Sequence, residues 1–166
     1  PHISGPTFTF SHNLPPHPPY VFDRNGNTPR DSNYEEINMM WKDIDLYVDE
    51  IVYINNEILE VVDEIMERSK IEPIIVVQGD HGTALNLPYS QSYDKPSEQL
   101  AWERPKILNA YYFPQSCNSN LYPDISPVNS FRVIFNSCLG TDFDILEDET
   151  FYSRRNQLYV TGGSYR

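Results

Sequence analysis

The stretch Pro73-Ile-Ile-Val-Val-Gln-Gly-Asp-His-Gly82 decides the fold that this sequence predicts. Its run of four branched aliphatic residues is typical of a short strand that is buried on both faces of a parallel sheet. The run ends abruptly in Asp80 and His81, and in open α/β sheets ligands bind just beyond the carboxyl ends of the strands. The stretch therefore predicts an α/β fold with a binding site at this strand end.

Asp80 and His81 are the first candidate site residues. A carboxylate and an imidazole side by side are ligands for a divalent metal ion, and the glycines on either side, Gly79 and Gly82, let the chain turn tightly. A motif of three residues leaves an alternative open, in which Asp80 caps a following helix and His81 is a solvated loop residue.

Length, composition and charge indicate one globular domain. The chain has 166 residues, which is enough for a single domain with a core. Apolar residues make up 39% and charged residues 22%, while 14 prolines indicate long ordered loops. The net charge of -12 argues against nucleic acid or an anionic membrane as a partner, because both require a basic surface. An anionic substrate would therefore need a metal ion or a cationic group to attract it.

The cysteines and the start of the chain bear on the cellular compartment of the protein and on whether the chain is part of a longer one. Cys117 and Cys138 can pair in an oxidising compartment or remain separate thiols, and their spacing does not decide between these alternatives. No run approaches the ~20 apolar residues that span a bilayer, and the start shows no signal-peptide pattern. The chain begins at Pro1 rather than Met, so we expect it to be a piece of a longer protein.

A strand and a helix are predicted before the Asp80 strand. Residues 7–10, Thr-Phe-Thr-Phe, have the composition of a strand. Residues 44–69 carry apolar side chains at three- and four-residue spacing, which predicts one long helix with an apolar face on the sheet. Its acidic residues, Glu50 among them, are expected to form a solvated face. Strand, helix and strand together predict a βαβ unit with a right-handed crossover and a parallel strand pair.

His12 and His17 are the second candidate pair. His12 follows the predicted strand, and His17 lies in the proline-rich loop Leu14-Pro-Pro-His-Pro-Pro-Tyr20. The prolines restrict the backbone and hold an imidazole at low entropic cost, although a rigid surface loop with an incidental histidine is an alternative. The parallel pair would bring both histidines to the same sheet edge as Asp80 and His81.

The second half of the chain is predicted to alternate loops with short elements. Ser126-Pro is a typical helix start, and an apolar stripe continues from it to a stop at Gly140. A polar segment without periodicity predicts a long loop over residues 85–104. The other predicted segments are a strand over 106–113, a loop over 115–126, an acidic loop over 141–150 and a strand over 158–161.

Four pieces of the chain, taken in order, carry a family resemblance. They are Phe8-Thr-Phe-Ser-His12 with Pro16-His-Pro-Pro-Tyr20, the long helix, the strand that ends in Asp80-His-Gly82, and Ser126-Pro-Val-Asn-Ser-Phe-Arg132. Together they resemble the carboxyl-terminal half of the catalytic domain in the alkaline phosphatase superfamily, specifically the sulfatase-like hydrolases and the phosphoglycerol transferases that build lipoteichoic acid. The resemblance covers most of the chain. It implies an α/β fold with a mainly parallel sheet flanked by helices, incomplete here, with residues 1–166 as a single partial domain.

The resemblance also implies roles for the candidate residues. Asp80 and His81 are similar to two ligands of the active-site metal. His17 is similar to the histidine that contacts sulfate or phosphate oxygens or assists the leaving group, and His12 to a substrate-contacting neighbour. A divalent ion would neutralise the anionic ester and activate a nucleophile, while an imidazole donates to developing charge. An imidazole ligand favours manganese or zinc, with calcium possible.

The family's nucleophile and first acidic metal ligands lie in the amino-terminal half of its catalytic domain, and we expect this chain to begin after them. Cys117 does not resemble the Cys-x-Pro-x-Arg context in which formylglycine forms, so neither it nor Cys138 is assigned as the nucleophile. The implied partners are an anionic phosphate or sulfate ester and the remainder of the parent catalytic domain. The implied location is the outer face of a bacterial cytoplasmic membrane, behind amino-terminal transmembrane helices.

A second class of function stays open from the sequence. A non-catalytic domain on the same fold would use its tyrosine-rich loops, over residues 89–102 and 111–122, to bind a glycan or a protein. The same aromatic residues can instead belong to a lid and a core. A nucleophile with acidic ligands upstream in the parent sequence would favour the enzyme.

We expect the isolated chain to have no turnover, because the motifs supply half of a metal site and no nucleophile. The measurement is release of 4-nitrophenol from its phosphate and sulfate esters in the presence of manganese or zinc, and the expected rate is that of buffer alone. Hydrolysis by this chain that disappears in an Asp80→Ala variant would contradict the expectation.

Overall fold

The computed structural model describes residues 5–29, 42–86, 98–117, 120–154 and 157–161. The chain divides into two compact units, Pro1–Glu57 and Ile58–Arg166, and the boundary between them falls within the first helix. No helix in the described ranges combines the length and the apolar character needed to cross a membrane. The elements in chain order are α1 (Ile44–Arg68), β1 (Ile75–Gln78), α2 (Glu98–Glu103), β2 (Asn109–Tyr112), α3 (Pro127–Leu139), β3 (Thr150–Arg154) and β4 (Gln157–Thr161).

The long helix predicted over residues 44–69 is confirmed as α1. Tyr47, Ile51 and Ile54 of its apolar stripe are half-buried. Glu50 was expected on the solvated acidic face, and this expectation is wrong, because Glu50 is the fully buried residue of the helix. It lies three positions after Tyr47 and four before Ile54, so helical spacing places it on the apolar side.

The strand predicted over residues 7–10 is wrong. Residues 5–29 contain no strand, and Phe8 and Phe10 are 81% and 78% exposed. A strand needs a neighbour to pair with its backbone N–H and C=O groups, and none of the strands in the described ranges pairs with this segment. The βαβ unit that depended on it is therefore not seen in the described part of the chain.

The strand predicted at Ile74 to Val77 is present as β1, shifted by one residue. It pairs antiparallel with β2, with Ile75 opposite Tyr112 and Gln78 opposite Asn109. Its first three side chains are half-buried and Gln78 is exposed, and one edge of β1 is paired within the described residues. The parallel sheet flanked by helices is not seen in these ranges, and the α/β fold class stays a prediction.

Two elements, α2 and β3, were not predicted from the sequence, whereas two predicted strands are present. The predicted loop over residues 85–104 ends in a helix, α2, while residues 87–97 lie outside the described ranges. The predicted strand over residues 106–113 is confirmed in its centre as β2. The terminal strand is confirmed as β4, which pairs antiparallel with the unpredicted β3 so that Thr150 lies opposite Thr161.

α3 confirms the predicted helix between Ser126 and Gly140. Ser126 is extended, with φ -80° and ψ 157°, and its carbonyl accepts the N–H of Asn129 at 3.0 Å. Gly140 has φ 67°, a left-handed conformation that glycine adopts without strain, and the next N–H, of Thr141, donates to the carbonyl of Phe135 at 3.4 Å. The buried residues of α3 are Asn129, Ser130, Val133 and Ile134.

Two asparagines of α3 hold the acidic segment that follows the helix. The side-chain amide of Asn136 donates to the carbonyl of Phe143 at 2.8 Å and accepts the N–H of Phe143 at 2.7 Å. Asn129 does the same with Leu146, at 2.8 and 3.0 Å. Each amide therefore replaces a backbone partner, and the segment lies along α3 without being a strand.

Cys117 and Cys138 form a disulfide, which decides between the two alternatives that the sequence left open. Their Cα atoms are 4.7 Å apart, and the bond joins the segment after β2 to the last turn of α3.

We expect the double variant Cys117→Ser, Cys138→Ser to lose about 3 kcal/mol of unfolding free energy, because the bond closes a loop with a sequence separation of 21 residues. Urea unfolding followed by circular dichroism measures the loss. Reduction of the wild-type chain is the matched control and should give the same loss. An unchanged unfolding free energy in both experiments would show that the bond does not stabilise the fold.

Candidate metal centre

Asp80 and His81 follow β1 after one intervening residue, Gly79, and two of their potential ligand atoms lie close together. His81 Nε2 is 3.6 Å from Asp80 Oδ2, and the N–H of His81 donates to Asp80 Oδ1 at 3.0 Å. The Asp80 side chain is 83% exposed. Two ligand atoms at about 2.1 Å from one tetrahedral ion are expected to be about 3.4 Å apart. The observed separation therefore fits two ligands of one divalent ion.

The ring of His81 is oriented by its neighbour in sequence. Its Nδ1 lies 2.9 Å from the carbonyl oxygen of Gly82, so a proton on Nδ1 makes this hydrogen bond and puts the lone pair on Nε2. Metal-binding histidines use this type of partner to fix the ring and its tautomer. The alternative in which Asp80 caps a helix is not supported, because residues 81–86 are not helical.

Gly82 brings the candidate loop, residues 80–86, against the segment that follows α2. A Cβ at this position would overlap the carbonyl oxygens of Glu103 and Lys106. The N–H of Gly82 donates to the carbonyl of Arg104 at 2.7 Å, and Arg104 Nη1 donates back to the carbonyl of Gly82 at 2.8 Å. Glycine is therefore required here because the backbones approach closely.

Glu103 holds the remainder of the candidate loop. Its carboxylate accepts the hydroxyl of Thr83, the N–H of Leu85 at 2.6 Å, and both the N–H and the side-chain amide of Asn86 at 3.1 and 3.0 Å. Burial alone would raise the pKa of Glu103, but these hydrogen bonds outweigh burial and lower the pKa. The loop that carries the candidate ligands is thus fixed by a carboxylate on the protein itself.

Sequence reasoning missed Glu103. It lies in a segment that was predicted as loop, and its partners are 17 to 20 positions earlier in the chain. Helical or strand spacing gives no signal for a contact of that kind.

His12 and His17 lie in the first unit, and both are exposed. The N–H of His17 donates to the carbonyl of Leu14 at 2.9 Å, and its Nδ1 is 2.6 Å from the carbonyl oxygen of Pro18. These contacts hold His17 in a turn of the proline-rich loop. Asp80 and His81 belong to the second unit, and the convergence of the two pairs stays a prediction.

Glu50 holds the chain just after the His17 turn. Its Oε1 accepts the N–H groups of Val21 and Phe22 at 2.7 and 3.2 Å, and the residue is fully buried. Burial raises the pKa of Glu50, and the two hydrogen bonds oppose this rise. The burial of Glu50 could have been predicted from the sequence, because helical spacing places it within the apolar stripe of α1. Glu50 and Glu103 thus each accept two successive backbone N–H groups, Glu50 just after the His17 loop and Glu103 within the candidate loop.

Asp80 and His81 can supply part of the ligand set of a metal site. In the described ranges no group of three or more His, Cys, Asp or Glu residues could hold an ion, so Asp80 and His81 stand as a pair. Catalytic zinc sites use three protein ligands, and the pair can supply two of them.

An open cavity of about 220 Å³ lies beside Asp80 in the second unit. It is lined by side chains from the segment before β2, the first turn of α3 and the start of β3. Asp80 thus has exposed carboxylate oxygens next to a space that a small organic group can enter.

Comparison of the chain with protein-family models, curated proteins and solved structures found no significant match. The resemblance to sulfatase-like hydrolases therefore depends on the motifs, and the function is inferred from the residues of the site.

We expect Glu103→Gln to destabilise the fold at pH 7 by about 1–3 kcal/mol, because the amide cannot accept all the hydrogen bonds of the carboxylate. The folded pKa is lowered, so ionised Glu103 stabilises the fold above the unfolded pKa of about 4.3. This contribution is lost as the pH falls through the lower folded pKa, and the difference between variant and wild type should shrink below about pH 4.

Urea unfolding across this pH range measures the difference, and hydrogen exchange at Leu85 and Asn86 reports on the loop itself. Glu60→Gln, at an exposed position of α1, is the matched control. A loss that is as large well below about pH 4 as it is at pH 7 would contradict the role given to the charge.

Proposed function

We propose that this chain forms part of a metal-dependent hydrolase or transferase that acts on phosphate or sulfate esters. The observation that carries the proposal is the 3.6 Å separation between Asp80 Oδ2 and His81 Nε2 at the end of β1. That separation suits two ligands of one divalent ion. Gly82 and Glu103 support the proposal further, because they hold the loop in place through contacts within the protein.

The chemistry follows from the residue types. A divalent ion supplies Lewis acidity, which neutralises the ester anion and activates a nucleophile. In the chain itself, Asp80 contributes a negative oxygen ligand and His81 a neutral nitrogen ligand, and His81 is oriented by the carbonyl of Gly82. His17 and His12 are proposed to contact the oxygens of the substrate, with His17 donating to the oxygen on which charge develops.

The ligand types also bear on the metal. Calcium prefers six to eight oxygen ligands, whereas zinc and manganese accept an imidazole beside a carboxylate. Manganese or zinc is therefore the proposed ion. The remaining ligands and the nucleophile are proposed to come from the rest of the parent catalytic domain, and phosphate and sulfate esters are both retained as substrates.

A non-catalytic glycan-binding domain is the second candidate, and one observation favours it. A cavity of about 460 Å³ is lined by Asn86, Gln99, Trp102, Glu103 and Lys106, which combines an aromatic ring with hydrogen-bonding amides. However, Lys106 Nζ lies 3.0 Å from the centroid of the Trp102 ring, so the ammonium occupies one face on which a sugar would stack. The metal-dependent enzyme is therefore the preferred function.

We expect the chain to bind one manganese or zinc ion, and the double variant Asp80→Ala, His81→Ala to bind it at least about tenfold more weakly. Calorimetric titration with manganese, zinc and calcium measures this. Asp63→Ala, at an exposed position of α1, removes the same charge elsewhere and should bind as the wild type does. Equal binding by the double variant would overturn the assignment of Asp80 and His81 as metal ligands. No binding by a chain that circular dichroism shows to be folded would overturn it as well.

A further inference from the structure

We propose that the cavity beside Asp80 binds the uncharged organic group of the ester and excludes a group that carries a second negative charge. This inference rests on the proposed function and adds the part of the substrate that is not the phosphate or sulfate. If Asp80 held the ion that binds the ester anion, the organic group could enter the cavity that Asp80 lines.

The size and walls of the cavity suit a small apolar group. The apolar walls come from Pro105, Ile107, Pro127, Val128 and Phe151, and the volume is about 220 Å³. An apolar cavity of about 150 Å³ is sufficient for benzene. Transfer of an aryl ring or a short alkyl chain from water to such walls is favourable.

The charges at the cavity are the reason to expect that a second anion is excluded. Asp80 and Glu149 both line it, and the described lining residues include neither lysine nor arginine. A metal ion at Asp80 would compensate the first carboxylate and leave Glu149 as a negative charge close to the organic group. A further anion on that group would be repelled by the Glu149 carboxylate, because like charges repel at short range and the described lining supplies no cation to offset them.

The wall that contains Glu149 is held by a hydrogen-bonded network. Asp148 accepts the N–H of Ser126 at 2.8 Å, the hydroxyl of Tyr122 at 2.6 Å and the side-chain amide of Asn129 at 2.9 Å. Burial, followed by the contact with Asp148, raises the pKa of Tyr122 to about 12. The segment is thereby tied to the start of α3, which holds this wall of the cavity in place.

The test compares two probes on the full chain by two-dimensional amide NMR. Benzyl alcohol is neutral, and 4-(hydroxymethyl)benzoate has the same frame with one carboxylate. We expect benzyl alcohol to shift the amide signals of Ile107, Val128 and Phe151, and the benzoate to bind at least about tenfold more weakly. Glu149→Gln should bring the two affinities closer together. Neither probe needs a metal ion. The result for the cavity can therefore be interpreted even if the chain binds no metal.

Two further variants control for nonspecific binding. Val128→Trp should fill the cavity and abolish the shifts caused by benzyl alcohol. Ile145→Trp, at an exposed position that does not line the cavity, should leave them unchanged. The inference is overturned if benzyl alcohol does not bind the folded chain, if Val128→Trp binds it equally well, or if both probes bind alike and Glu149→Gln changes nothing.

Discussion

The candidate centre depends on the hydrogen bonds that Glu103 accepts from residues 83 to 86. Two of the donors are successive backbone N–H groups, those of Leu85 and Asn86, and a carboxylate that accepts such groups binds them more strongly than a neutral acceptor does. The close approach at Gly82 places the same loop against the backbone that carries Glu103. Ligands on an irregular loop are precise only if surrounding groups fix the loop, and here one carboxylate and one glycine do so.

The same device recurs in the first unit, where Glu50 accepts the N–H groups of Val21 and Phe22 after the His17 turn. Side chains also replace backbone partners along α3. Arg132 donates to the carbonyl of Asp144 at 3.1 Å, between the contacts that Asn129 and Asn136 make with the same segment. Asn129 and Arg132 therefore have a structural role, which is to hold the segment that leads to the wall of the cavity.

The sequence predicted well those elements whose signal is local. The stripe from Tyr47 onward predicted α1, and Ser126 and Gly140 predicted both ends of α3. The apolar run at Ile74 predicted a strand but could not name its partner, because a run without alternation suits either a parallel or an antiparallel neighbour. Residues 7–10 have the composition of a strand and no partner within the described residues. Glu103 acts across 17 to 20 positions, a distance at which periodicity carries no information.

The central claim is that Asp80 and His81 hold one divalent ion. Its most direct test is an anomalous difference map from a crystal of this chain grown with manganese. We expect one peak within about 2.3 Å of both Asp80 Oδ2 and His81 Nε2. Manganese peaks that lie elsewhere, with Asp80 and His81 ordered and no density between them, would contradict the claim.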